Sequence, residues 1–74
     1  MLYPDGTEMR MGDRVRIKNG DTGTIVFSLD TREFSDEYPM KSWDYLESGV
    51  MVRTDKGALV HFETSTPRDM VERE

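Results

Sequence analysis

Alternation of apolar and polar residues between glycine-containing turns is the feature that most constrains the fold of this 74-residue chain. Residues 14–18 read Arg-Val-Arg-Ile-Lys, which would place Val15 and Ile17 on one face of a strand and the basic residues on the other. The dipeptide Asn19-Gly20 follows and tolerates the positive φ angles of a tight turn. This stretch therefore predicts the first arm of a β-hairpin.

Three further segments continue the pattern of strands. Residues 24–29 are predicted as the second arm of the first hairpin, and residues 49–54 and 58–63 as the arms of a second hairpin that turns at Gly57. Residues 69–73 are predicted to add a short closing strand or to fray. On the second strand, one face is predicted to carry Ile25, Phe27 and Leu29.

These segments predict an all-β fold. About five short strands in a chain of this length favour a small SH3-like barrel, because closure of the sheet removes its exposed edges. We expect one domain, residues 1–74, with a thin hydrophobic core, since so short a chain buries only about 60% of the surface that it exposes when unfolded. A long loop that carries a short helix is expected between the two hairpins.

This loop, residues 31–48, is the segment to which we assign function. Loops of 18 residues are uncommon in compact domains and are usually functional or disordered, and this one contains four of the seven aromatic residues of the chain. A helix is predicted over residues 40–47, with Pro39 at its first position. Its apolar side chains are expected to form a lid that plugs one end of the barrel: Met40, Trp43 and Leu46.

The same loop contains five acidic and only two basic residues, which suggests a second role as a contact rim. Tyrosine is enriched at interface hot spots because it is rigid and combines apolar area with a hydroxyl group. The predicted partner-binding residues are Glu33, Asp36, Glu37, Tyr38, Asp44 and Tyr45. The alternative is that the whole loop serves folding alone.

The charge of the chain favours a protein partner over a nucleic acid. Fifteen acidic and ten basic residues give a net charge of -5, which suits a basic protein, although the acidic residues could simply keep a small domain soluble. One local feature points the other way, because three basic residues on one strand face could meet phosphate groups. This alternative nucleic-acid face consists of Arg14, Arg16 and Lys18. Such charges also protect exposed strands from aggregation.

No pattern of a catalytic, cofactor or metal site is present in the sequence. The chain has one histidine, His61, and no cysteine, so a histidine- or thiolate-based metal site is not expected. No nucleophile motif or phosphate-binding glycine loop occurs. We therefore expect a non-enzymatic protein with no cofactor. No apolar run is long enough to span a membrane and no secretory signal is recognisable, which, with the lack of cysteine, leads us to expect a cytoplasmic location.

Residues 11–26, MGDRVRIKNGDTGTIV, resemble the KOW-like pattern of SH3-like barrels, in which Gly-Asp, an alternating strand, a glycine turn and a Gly-x-Ile/Val strand follow one another. The resemblance implies binding to RNA, ribosomes, partners of RNA polymerase or other proteins. This chain departs from the translation and transcription members of that group in its acidity and in its aromatic insertion after Asp30.

The whole chain also resembles a set of small, mostly uncharacterised stand-alone bacterial proteins, some of them in toxin-immunity settings. The resemblance rests on Tyr-Pro-Asp-Gly near the start, Gly-Asp-Arg-Val, Trp43-x-Tyr45-Leu46 and Gly57-x-Leu59-x-His61. Three hypotheses remain open at this point: a protein-binding module of the immunity or regulatory type with a basic partner, a KOW-like RNA- or ribosome-associated domain, and a structural domain that acts as a homo-oligomer.

Overall fold

The sheet of the protein has five antiparallel strands in the order β4-β3-β2-β1-β5. The computed structural model describes the backbone of residues 1–74 and every side chain except that of Arg68. The strands are β1 (Arg14–Ile17), β2 (Thr22–Ser28), β3 (Val50–Thr54), β4 (Leu59–Phe62) and β5 (Val71–Arg73). A short helix, α1 (Met40–Trp43), continues into a 3-10 turn (Asp44–Leu46), and a second 3-10 turn (Arg68–Met70) precedes β5. The all-β prediction, with a fifth strand, is confirmed.

The sheet is open, so the predicted closure into a barrel is not observed. Across the backbone that the structure describes, β4 pairs only with β3 and β5 only with β1, which leaves two separate edges. A closed barrel encloses a core on one face of its sheet. Here the central strands bury side chains on both faces, and each face has its own cover.

The first face of the sheet carries the larger core. Val15 and Ile17 are buried there, as the alternation predicts, beside Ile25 and Val52. The N-terminal segment closes this core with three buried side chains, Met1, Tyr3 and Met9. The Tyr3 hydroxyl donates to the carboxylate of Asp13 at 2.6 Å, which satisfies its one polar atom. Burial, the hydrogen bond to Asp13 and the Asp13 charge together raise the pKa of Tyr3 well above its usual value.

A β-bulge in β2 creates the second face. Ile25 pairs with Val52 and Phe27 pairs with Met51, so two steps along β2 correspond to a single step along β3. The additional residue, Val26, moves Phe27 to the face opposite Ile25. The prediction that Ile25 and Phe27 share a face is therefore wrong, because strict alternation holds only where a strand has no bulge.

The second face buries three side chains under the loop of residues 31–48. Phe27, Leu29 and Met51 form this smaller core. Partly buried side chains that pack against it are Val26, Phe34, Tyr38, Trp43 and Leu46. The loop thus lies flat on the sheet and does not plug the end of a barrel. Two members of the predicted lid, Trp43 and Leu46, do pack on the core, whereas the side chain of Met40 is 42% exposed.

The helix in the loop is shorter than the predicted residues 40–47. Pro39 has extended backbone angles (φ -74°, ψ 146°) and is the N-cap residue, so α1 begins at Met40 and not at Pro39. The α-helical geometry lasts one turn, and the following 3-10 turn ends where Glu47 takes a positive φ of 66°. Two short turns place Trp43 over Phe27 and leave Tyr45 outside.

Candidate functional site

An aromatic cluster fixes the loop to the second face of the sheet. The Phe27 ring lies at its centre, with ring centroids 5.6 Å from Phe34, 6.1 Å from Tyr38 and 5.4 Å from Trp43. Aromatic pairs at these distances contribute about 0.5–1.5 kcal/mol each beyond the burial of area. The cluster therefore gives the loop a defined conformation with few hydrogen bonds of its own.

Tyr45 continues this cluster to the surface. Its ring stacks on Trp43 with a centroid distance of 6.4 Å and an interplanar angle of 23°, and its side chain is 69% exposed. The tyrosine ring is thus supported from below by an indole that itself rests on Phe27. A large side chain that is both exposed and supported needs little ordering when a partner binds, which is the property of a good interface anchor.

Three acidic residues of the loop have exposed side chains. Asp44 and Glu47 flank Tyr45 in and after the 3-10 turn, and Asp36 lies earlier in the loop. Among the described side chains, none of the three carboxylates takes part in an ion pair. We call Asp36, Asp44, Tyr45 and Glu47 the exposed rim. Its carboxylates are free to meet positive charge on another molecule.

Glu33, by contrast, is fully engaged within the protein. Its carboxylate accepts hydrogen bonds from the Arg10 guanidinium at 3.0 and 3.2 Å, from the Met11 N–H at 3.1 Å and from the Thr31 hydroxyl at 2.6 Å. The bonds from Arg10 and Thr31 lower the pKa of Glu33 to about 2. Glu33 therefore holds the start of the loop to the N-terminal segment.

Two more of the predicted contact residues are also occupied. Glu37 forms an ion pair with Arg53 of β3 at 3.3 Å, with both side chains exposed. Tyr38 is half-buried, and its ring packs between Phe27 and Trp43. Of the six predicted partner-binding residues, the structure thus brings Asp36, Asp44 and Tyr45 to the free surface. The acidic Glu47 was not among the six, although its position two residues before Gly49, at the end of the loop, is a signal for exposure.

Two of the three basic residues of the predicted nucleic-acid face form ion pairs with acidic residues of the protein. Arg14 makes two bonds with the carboxylate of Asp55, at 2.8 and 2.9 Å, and a third with Glu74 at 2.8 Å. The same bonds raise the pKa of Arg14 and lower that of Asp55. Lys18 lies 3.3 Å from Asp69, and Arg16 faces Glu72 across the β1–β5 pair. The three basic residues share one side of the sheet, but acidic neighbours offset their charge.

A cavity of about 310 Å³ lies between the N-terminal segment, Asp30 and the segment that follows β4. The α-amino group of Met1 binds the carboxylates of Glu8 and Asp30 there. Asp30 also accepts hydrogen bonds from the Gly49 N–H at 3.0 Å and from the Thr64 hydroxyl at 2.7 Å. Burial raises the pKa of Asp30, but the bonds from the α-amino group, Gly49 and Thr64 outweigh it, so that the pKa is lowered. The Asp30 carboxylate thus links the N-terminus, the end of the loop at Gly49 and the segment after β4 at Thr64.

Among the residues that the structure describes, no group of three or more histidine, cysteine, aspartate or glutamate side chains comes together in an arrangement that could hold a metal ion. In the same part of the chain, no helix has the length and apolar character needed to cross a membrane.

Comparison with models of protein families, with curated proteins and with solved structures finds no match to this chain. The KOW-like segment and the SH3-like assignment therefore remain predictions from the sequence. The function has to be argued from the surface itself.

Proposed function

We propose that the protein is a non-enzymatic binding module that binds a basic partner protein through the exposed rim. The observation that carries this proposal is Tyr45, an exposed ring stacked on Trp43 and flanked by acidic residues that form no ion pair with any side chain the structure describes. A central aromatic anchor with charges around it is the arrangement typical of interface hot spots. The cysteine-free composition favours a partner in the cytoplasm.

The mode of binding follows from charge and rigidity. The net charge of -5 attracts a basic surface and raises the rate of encounter, so association should slow as salt increases. Tyr45 then supplies buried apolar area at the centre of the contact. A module of this kind can act as a regulatory or immunity-type inhibitor, because it covers a positively charged site on its partner.

RNA or ribosome binding through Arg14, Arg16 and Lys18 would require Arg14 and Lys18 to exchange their present acidic partners for phosphates, at a cost that the proposed contact avoids. Self-association draws on a different part of the molecule and is treated separately below.

Affinity capture from a lysate of the source organism tests the proposal. The baits are the wild-type protein, Tyr45→Ala, Asp44→Lys and the control Glu72→Lys, which makes the same charge change on the exposed side of β5. We expect a protein that the wild type and Glu72→Lys retain, that 0.5 M salt weakens, and that both rim variants lose.

Two results would count against the proposal. Equal retention by the rim variants and the control would show that the partner binds elsewhere. Recovery of RNA that Arg16→Glu abolishes and Tyr45→Ala does not would favour the KOW-like alternative instead.

A further inference from the structure

The outer edge of β4 is strand backbone without a partner. The Thr54 N–H donates to the Ala58 carbonyl at 2.8 Å, where the hairpin of β3 and β4 closes. Bonded pairs alternate along an antiparallel ladder, so Val52 and Val60 are the next bonded pair. It follows that the N–H and C=O groups of Leu59 and His61 point away from β3. Within the described part of the chain, no other backbone group bonds to them.

The two edges of the sheet differ in how they are protected. The β5 edge has three residues, two of them charged, and Glu74 follows it. Short, charged edges discourage pairing with other chains. The β4 edge has no charge from Ala58 to Phe62, contains no proline, and exposes 42% of the Leu59 side chain. The His61 ring does not shield it, because Nε2 is held by the Ser48 carbonyl at 2.8 Å.

We propose that β4 pairs with β4 of a second copy of this chain, antiparallel about a two-fold axis through Val60. Leu59 and His61 lie on either side of Val60, so the axis places Leu59 of each copy opposite His61 of the other. Both residues direct N–H and C=O outward, and the contact forms four backbone hydrogen bonds. Two five-stranded sheets become one sheet of ten strands.

The charges at the ends of the edge favour a second copy as the occupant. Lys56 precedes the edge, with its side chain 84% exposed and its Nζ 3.4 Å from Asp21 of the same chain, and the exposed Glu63 follows the edge. An antiparallel pair brings Lys56 of each copy close to Glu63 of the other, which offsets part of the repulsion between two acidic molecules. The contact is small by the standard of stable interfaces, so the dimer is weak and depends on protein concentration.

Cross-linking tests the position of the axis. Val60 faces its own counterpart at a non-bonded pair, where Cα atoms lie about 4.5 Å apart, a separation that a disulfide can span. The chain has no cysteine, so Val60→Cys introduces a single thiol. The control is Met40→Cys, at an exposed side chain in the loop. Under mild oxidation we expect Val60→Cys to form disulfide-linked dimers at least about tenfold faster; equal rates for the two variants would refute the axis.

Sedimentation tests the dimer itself without a covalent link. Between about 10 µM and 1 mM we expect the mean mass of the wild type to rise above the 8.6 kDa of one chain. Leu59→Glu should stay monomeric, and Met40→Glu, at a side chain of the same 42% exposure, should behave like the wild type. A wild-type mass that stays at one chain up to 1 mM, or equal dimerisation of Leu59→Glu, would overturn the proposal.

A charge exchange tests the pairing of the ends. Lys56→Glu and Glu63→Lys should each weaken dimerisation severalfold, and the double variant should restore it; failure to restore would contradict the antiparallel register.

Tyr45→Ala should dimerise like the wild type, because the edge and the exposed rim are separate. Each proposal can therefore fail without the other.

Discussion

At the scale of single residues, the packing of the loop on the second face of the sheet depends on Gly49, where the loop ends and β3 is about to begin. Gly49 precedes β3, has a φ of +95° and lies against the backbone of Phe62 and Glu63. A Cβ at this position would overlap the Phe62 carbonyl oxygen. Its N–H also donates to Asp30, the carboxylate that binds the α-amino group and Thr64. Close backbone contact and positive φ both require glycine here.

The substitution Gly49→Ala should therefore destabilise the protein by more than the roughly 1 kcal/mol that is usual when a glycine of positive φ is replaced by alanine. We expect a loss of about 3 kcal/mol or more in the free energy of unfolding, because backbone atoms must move to admit the methyl group. The control is Gly57→Ala, also at positive φ (+92°) but with open space around the added Cβ. Urea denaturation measures both, and a similar, small loss for the two variants would contradict the close contact.

At the scale of elements, the loop of residues 31–48 is a cover for the sheet that also carries a surface. Trp43 does the first task because it packs on Phe27, and Tyr45 does the second because its ring stacks on Trp43 and remains largely exposed. The two side chains are two residues apart and differ in exposure because a 3-10 turn follows one turn of α-helix. We therefore expect Trp43 to contribute mainly to the stability of the fold and Tyr45 mainly to the binding of a partner.

Truncation of the two rings tests this separation. Trp43→Ala should lower the free energy of unfolding by about 2 kcal/mol, less than for a fully buried tryptophan because the indole is half-buried. Tyr45→Ala should change it by less than about 0.5 kcal/mol, as is usual for exposed positions. Urea midpoints with unchanged slope would measure both; an equal loss for the two variants would mean that Tyr45 belongs to the core.

The strands were predictable from the sequence, and the cover of the second face was not. Alternation at Val15 and Ile17 and the glycine turns identify the strands, because these signals are local. The bulge at Val26 leaves no such signal, and it alone decides that Phe27 faces the loop. The aromatic content of the loop predicts that it is ordered, and the structure packs it on the sheet. Which of its residues are free depends on distant partners, such as Arg10 for Glu33 and Arg53 for Glu37.

At the scale of the whole molecule, carboxylates tie distant parts of the chain together. Glu33 joins the loop to the N-terminal segment through Arg10, and Asp55 joins the second hairpin to β1 through Arg14. Hydrogen bonds to these cations lower the pKa of both carboxylates. At pH values between the lowered pKa of the folded state and the normal pKa, the unfolded chain binds more protons than the folded protein does. Their contribution to stability is therefore present above about pH 4.5 and is lost as the pH falls.

We expect the melting temperature of the wild type to fall between about pH 4.5 and pH 2, the range set by the normal and lowered pKa of Glu33. Glu33→Gln should be less stable by about 1–2 kcal/mol at pH 7, the range of a hydrogen bond to a charged group. Its deficit against the wild type should shrink towards pH 2. Calorimetry across this pH range measures both curves, and a deficit independent of pH would contradict the role of the Glu33 charge.

The charge of the whole molecule also frames its function. Arg14 and Lys18 have acidic partners within the protein, whereas Asp36, Asp44 and Glu47 on the loop are exposed and form no ion pair with the described side chains. Asp5, Glu63 and Glu72 also lack an ion pair among the described side chains, so the loop is distinguished by combining such carboxylates with the aromatic anchor Tyr45. This combination is why we propose a basic protein as the partner.

The most direct test is the affinity of the captured partner, once purified, for the wild-type protein and for Tyr45→Ala, measured by calorimetric titration. A hot spot of about 2 kcal/mol predicts that Tyr45→Ala weakens binding about 30-fold while its melting temperature stays that of the wild type. An affinity within twofold of the wild type would contradict the claim that the exposed rim is the binding surface.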